Sequence, residues 1–171
     1  MRRLAQTLGV VTTFDLTPQG PVALAGRLSV SQPAPHLRYL AVAKSLAAGL
    51  PPLCSAGSTC SVPLAFLAAQ VTETALKAYL LKSVTPKALA SSKDRHRIDA
   101  LWAQAVLGGL LLASAPTPAI QVLVKLHQKP YPLRYSDEGT IRLLFLPSAK
   151  ELLTEVGHVL QVVSNSLLPS A

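Results

Sequence analysis

The densest chemistry in the sequence lies between Thr74 and Arg97. Lys77, Lys82, Lys87, Lys93, Arg95 and Arg97 are opposed there by Asp94 alone, so this stretch carries five of the eight net positive charges. Clustered Lys and Arg attract phosphates by releasing counterions, without reading sequence. His96 sits among them, where a helix is expected to start. The positive end of a helix dipole favours a neutral imidazole. Such a ring can accept a proton, or sit beside backbone N–H groups that hold a phosphate. The competing role for His96 is structural: a hydrogen bond to the neighbouring helix, with Glu73 as partner, that fixes packing. Glu73 and Lys77 stand at i, i+4 in the favourable order. On a surface such a pair has little weight; facing the interior, it would orient His96 or Arg97. A second basic group, Lys125, Lys129 and Arg134, alternates with His127, Tyr131 and Tyr135. Aromatic rings beside cations can stack on unpaired bases. The plainer account of both groups is a solvated basic loop with tyrosines packed at the core edge.

Other chemistries are poorly provided for. Glu151, Glu155 and His158 share a helix face, and Glu155-x-x-His158 has the spacing used in di-iron bundles. Those sites need the motif twice plus two more carboxylates, whereas one copy exists and the whole chain has eight acids. No metal is therefore expected. Cys54 and Cys60 lack the two further ligands of a tetrahedral zinc site and read as free thiols of a reducing cytosol. No Gly-rich phosphate loop and no Gly-x-Ser-x-Gly elbow occurs, and no cofactor is expected.

The elements that must position these residues are set by an apolar chain. Half of the 171 residues are hydrophobic, only 14% are charged, and the net charge is +8. That length suits one domain with one core. Disorder is excluded, because disordered chains combine low hydrophobicity with high charge density. Met1-Arg2-Arg3 looks like the start of a signal peptide, but Gln6, Thr7, Thr12, Thr13 and Asp15 break the stretch that follows, so secretion is not expected. The run from Ala100 to Val124 has no charge. Gly108-Gly109 and Pro116-Thr117-Pro118 divide it, which predicts two buried helices, no membrane span and a cytoplasmic location.

Residues 1–35 read as an irregular segment, interrupted by prolines, with a short strand around Val22 to Val30. A helix is predicted from His36 to Leu50, ended by Gly49 and Pro51-Pro52, and then a loop to Ser61. The strongest helix runs from Pro63 to Lys82, with Leu64, Leu67, Val71, Ala75 and Tyr79 on its apolar stripe. Residues 83–93 read as a basic loop. Asp94 is expected to cap a helix from Arg95 to Ala113 that carries Ile98, Leu101, Trp102 and Ala105. Pro118 opens another helix through Gln128. Tyr131 to Pro147 reads as an extended or hairpin segment. Ser148-x-x-Glu151 is a capping box for a last helix to Leu167. The fold class that follows is all-α: an up-and-down bundle of four to five helices, with a small extended or hairpin segment before the last one.

Two pieces of this text carry a family likeness. Glu73-x-x-x-Lys77-x-x-Leu80, then a basic loop, then His96-Arg-Ile98-x-x-Leu101-Trp102, resemble the paired helices of bacterial HEPN-domain proteins. The helix from Leu37 to Leu50 and the segment Tyr131-Pro-Leu-Arg-Tyr135 are compatible with that family, and the likeness covers His36 to Leu167. It implies a helical domain over residues 36–171 that forms a homodimer and binds RNA or a nucleotide-bearing ligand. A nucleotidyltransferase-type protein in a toxin–antitoxin or defence system is an alternative partner. Glu73, Lys77 and Trp102 are expected to orient the site. The ribonucleases of the family carry an Arg four to six residues before a His, and no such pair occurs in this sequence. Arg95 stands where the family often has Gly. The expected function is therefore non-catalytic binding through a basic face of Lys87, Lys93, Arg95, His96, Arg97, Lys125, Lys129 and Arg134. The alternatives are a metal-independent ribonuclease using His96 with Arg95 or Arg97, and a homodimeric assembly module.

Overall fold

In the computed structural model the chain is described over residues 32–57, 61–128 and 147–168. These residues form seven α-helices and no strand, as the all-α reading requires. The helices are α1 (Pro35–Ala47), α2 (Leu50–Ser55), α3 (Ser61–Leu80), α4 (Pro86–Ser91), α5 (Ile98–Leu107), α6 (Pro118–His127) and α7 (Ala149–Leu167). Periodicity predicts four to five. The two short helices, α2 and α4, lie where loops are expected, and proline explains both. Pro51-Pro52 and Pro86 fall in first turns, where a missing N–H costs nothing and the fixed φ is already helical. Thr85 then caps α4 by accepting a hydrogen bond from the Ala88 N–H at 3.2 Å. The strand around Val22 to Val30 and the segment from Tyr131 to 146 lie outside the described residues.

The long helix α3 packs against α1, α2, α5, α6 and α7. Being surrounded, it buries far more than one stripe. Leu64, Val71, Leu76 and Leu80 are buried, and so are the polar Thr72, Glu73 and Lys77. Ala65, Ala68, Ala69, Ala75 and Ala78 are all fully buried, and their small side chains let neighbouring helices come close. A fully buried leucine such as Leu76 contributes about 2 kcal/mol of hydrophobic stabilisation. The last helix shows the ordinary pattern instead, with Leu152, Val156, Val159 and Val163 buried at spacings of three and four. Ser148 caps it by accepting from the Glu151 N–H at 3.2 Å.

Helix α5 is shorter at both ends than expected. Asp94 does not cap it. The N-cap is Arg97, in extended conformation, and the Asp94 carbonyl accepts the Arg97 N–H at 2.9 Å in a preceding turn. At the other end, Gly109 takes φ +92°. The Gly109 N–H then donates to the Val106 carbonyl and the Leu110 N–H to the Ala105 carbonyl, both at 2.9 Å. This pair of hydrogen bonds is the glycine-dependent stop of the Schellman motif. Trp102 is buried, and its indole N–H donates to the Ala113 carbonyl at 2.9 Å, which pins the connection to α6. No helix among the described residues is long and apolar enough to cross a membrane.

Candidate functional site

The Glu73 carboxylate, only 4% exposed, gathers side chains from three parts of the chain. Helical spacing brings Lys77 of α3 beside it, with Nζ 2.5 Å from Oε1. The turn before α5 delivers His96, whose Nδ1 lies 3.1 Å from the same oxygen. The last turn of α6 delivers His127, whose Nε2 bonds Oε2. Lys77 and His127 are buried, whereas the His96 side chain is 45% exposed. The cluster is thus closed on the core side and open at one ring.

Its electrostatics follow from the partners. Burial by itself pushes the Glu73 carboxyl up. The hydrogen bonds from His127 and Lys77, together with their charges, outweigh that and hold it at about 2. Glu73 is therefore a carboxylate at neutral pH and can only accept. Each ring nitrogen facing it must carry its hydrogen, so His96 donates from Nδ1 and His127 from Nε2. In the neutral form of His96 this leaves the lone pair on Nε2, just as a carboxylate orients a metal-binding or catalytic histidine. No described residue bonds His96 Nε2.

Arg97 does not join the cluster. Its Nη1 donates to Asp94 Oδ1 at 3.1 Å and its Nη2 to Asp99 Oδ2 at 2.7 Å. The Asp99 hydrogen bond and charge raise the guanidinium's pKa further. Burial pushes Asp99 up, but the Arg97 hydrogen bond and the Ala100 N–H bring it below its ordinary value. Asp99 also accepts from Gln128 Nε2 at 3.0 Å, tying the start of α5 to the end of α6. Lys87, Lys93 and Arg95 are exposed and make no ion pair with a described residue. Lys125 is exposed on α6. Lys129, Tyr131, Arg134, Tyr135 and Cys60 lie outside the described residues. Trp102 sits in the core, bonded to Ala113 rather than to the cluster. Glu155 is half-buried and His158 exposed on α7, and no three His, Cys, Asp or Glu side chains among the described residues are placed to hold a metal ion.

His127 is the residue that sequence reasoning places in the wrong company. The sequence groups it with exposed cations and tyrosines, yet it is 2% exposed. A signal is available. Ile120, Leu123 and His127 follow helical spacing, which puts the imidazole on the buried face of α6 and obliges it to find a polar partner there.

No family model, no curated protein and no solved structure matches this chain.

Proposed function

We propose that this chain is a HEPN-like helical domain, with the up-and-down bundle of that family, that binds RNA without cleaving it. One observation carries the reading. A half-exposed His96, locked by a buried carboxylate, stands beside Lys93 and Arg95, which are exposed and unpaired among the described residues. Cations free of acid partners keep their full attraction for phosphate. A ring held in one orientation stacks or hydrogen-bonds at little entropic cost. Arg97 contributes less than its position suggests, because Asp94 and Asp99 already occupy its donors. In this reading the domain works in the cytoplasm, with a second copy of itself or a nucleotidyltransferase-type protein as partner.

The test is retention of labelled single-stranded RNA over a salt series. Lys87→Ala, Lys93→Ala and Arg95→Ala combined should weaken binding and flatten the salt slope by about 0.7 for each phosphate no longer neutralised. Unchanged affinity in the triple variant sinks the proposal.

A second reading has one specific observation in its favour. The Glu73–His96 pair has the arrangement of a carboxylate-oriented general base, with no described residue bonded to Nε2. In a ribonuclease, Nε2 would take the proton of a ribose 2′-hydroxyl as its oxygen attacks the adjacent phosphorus; the P–O5′ bond breaks, the 5′-oxygen leaves with a proton from water, a 2′,3′-cyclic phosphate remains, and Arg95 would stabilise the charge gained by the phosphoryl oxygens. RNA cleavage by the purified chain that disappears in His96→Ala would replace the first reading with this one.

A further inference from the structure

The opposite end of α5 presents a surface of another kind. Leu107 and Leu111 flank the Gly108-Gly109 turn and are 87% and 85% exposed. Three contacts bring further parts of the molecule to the same end. The Tyr79 hydroxyl at the end of α3 donates to the Gly108 carbonyl. Lys82 Nζ lies over the Tyr79 ring at 5.4 Å and donates to the Ser166 carbonyl near the end of α7. Just beyond Ser166, Leu168 is again exposed. The ends of α3, α5 and α7 thus meet in one tip that carries protruding leucines and a lysine. The chain from Ala100 to Val124 brings no charge to it.

We infer that this tip docks on an anionic lipid surface: Leu107 and Leu111 enter the acyl boundary, and Lys82 meets the headgroups. Two exposed leucines on a tight turn are costly in water and gain nothing from a phosphate backbone, so RNA is not their partner. A second copy of the chain fits poorly. Protruding leucines at one turn fall well short of the roughly 20–30 residues a side, about 800 Å² per partner, of a stable dimer. A bilayer of anionic lipid removes that objection. It takes up a small apolar wedge without needing a matching surface, and its charge is opposite to that of the protein. This inference does not rest on the RNA reading, because its residues lie at the other end of α5 from His96.

The experiment is co-sedimentation of the full chain with vesicles of phosphatidylcholine alone, and of phosphatidylcholine with phosphatidylserine. The expected result is uptake by the phosphatidylserine vesicles only. Uptake should fall more than about tenfold in Leu107→Asp/Leu111→Asp, since each leucine loses its apolar transfer, and about fivefold in Lys82→Gln. Both leucines are solvent-exposed, so the double variant should keep the wild-type thermal transition and RNA affinity. Equal uptake of wild type and double variant overturns the inference, and so does equal uptake by the two vesicle types. No uptake at all, with light scattering showing the double variant converted from dimer to monomer, also overturns it and makes the tip a contact between copies.

Discussion

Both ends of α5 are fastened to α3, but with different materials. At the start, His96 reaches a buried carboxylate that also holds Lys77 and His127. At the end, a neutral tyrosine hydroxyl donates to a backbone carbonyl at 2.5 Å, and leucines face outward. The first joint concentrates charge where water is scarce, so its members depend on one another. A buried charge without its partner bears its desolvation unaided. The second joint is a single neutral hydrogen bond on a glycine turn, and its loss is local. The difference teaches that the polar joint specifies one arrangement of three chain segments, while the neutral one merely closes a corner.

The sharpest way to break this contrast is Glu73→Ala. It leaves Lys77 and His127 buried without their acceptor and should cost about 3–5 kcal/mol in urea denaturation. A cost under about 1 kcal/mol would mean that the cluster is not the joint described. Acid should do nearly as much. The Glu73 carboxyl is lowered from 4.5 to about 2 in the folded chain. Its contribution is therefore complete above pH 4.5 and lost as pH falls through about 2. That contribution is about 3 kcal/mol, and the acid-induced drop in stability should shrink by that amount in Glu73→Gln. At the other joint, Gly109→Ala forces a side chain into the left-handed region at φ +92° and should cost about 1–2 kcal/mol. Tyr79→Phe should cost least, about 1 kcal/mol. Unlike the Glu73 effects, its cost should not change with pH in the acid range, which thermal unfolding in acid and neutral buffer will show.

Much of this is legible in the sequence, for reasons that differ by element. Helix α7 declares itself through a capping box and a regular stripe, both local signals. The split of the uncharged run is legible because Gly108-Gly109 and Pro118 act on the backbone alone. The pairing of His96 with Glu73 follows from a short list of partners for a polar ring at a helix start. Burial around α3 cannot be read in the same way. A single stripe is the right reading of a helix at the edge of a core, whereas α3 is enclosed by five others, and nothing local distinguishes the two cases. That is why Glu73 and Lys77 are equally compatible with solvent in the sequence, and why His127, coming from α6, escapes notice as the third member. The short helices α2 and α4 are hidden for the opposite reason: Pro51-Pro52 read as a helix stop and residues 83–93 as a loop, when Pro51-Pro52 and Pro86 are equally good helix starts.

Trp102 is the sole tryptophan of the chain, and it is buried with its indole N–H on the Ala113 carbonyl. The protein therefore carries its own spectroscopic reporter at the junction of α5 and α6. Emission from a dry, hydrogen-bonded indole shifts to the red when water arrives, so one unlabelled signal will follow the opening of that junction. Because α5 runs from the turn bearing His96 to the leucine tip, the same fluorophore sits between the proposed RNA-facing and lipid-facing surfaces and can be read while either one is occupied.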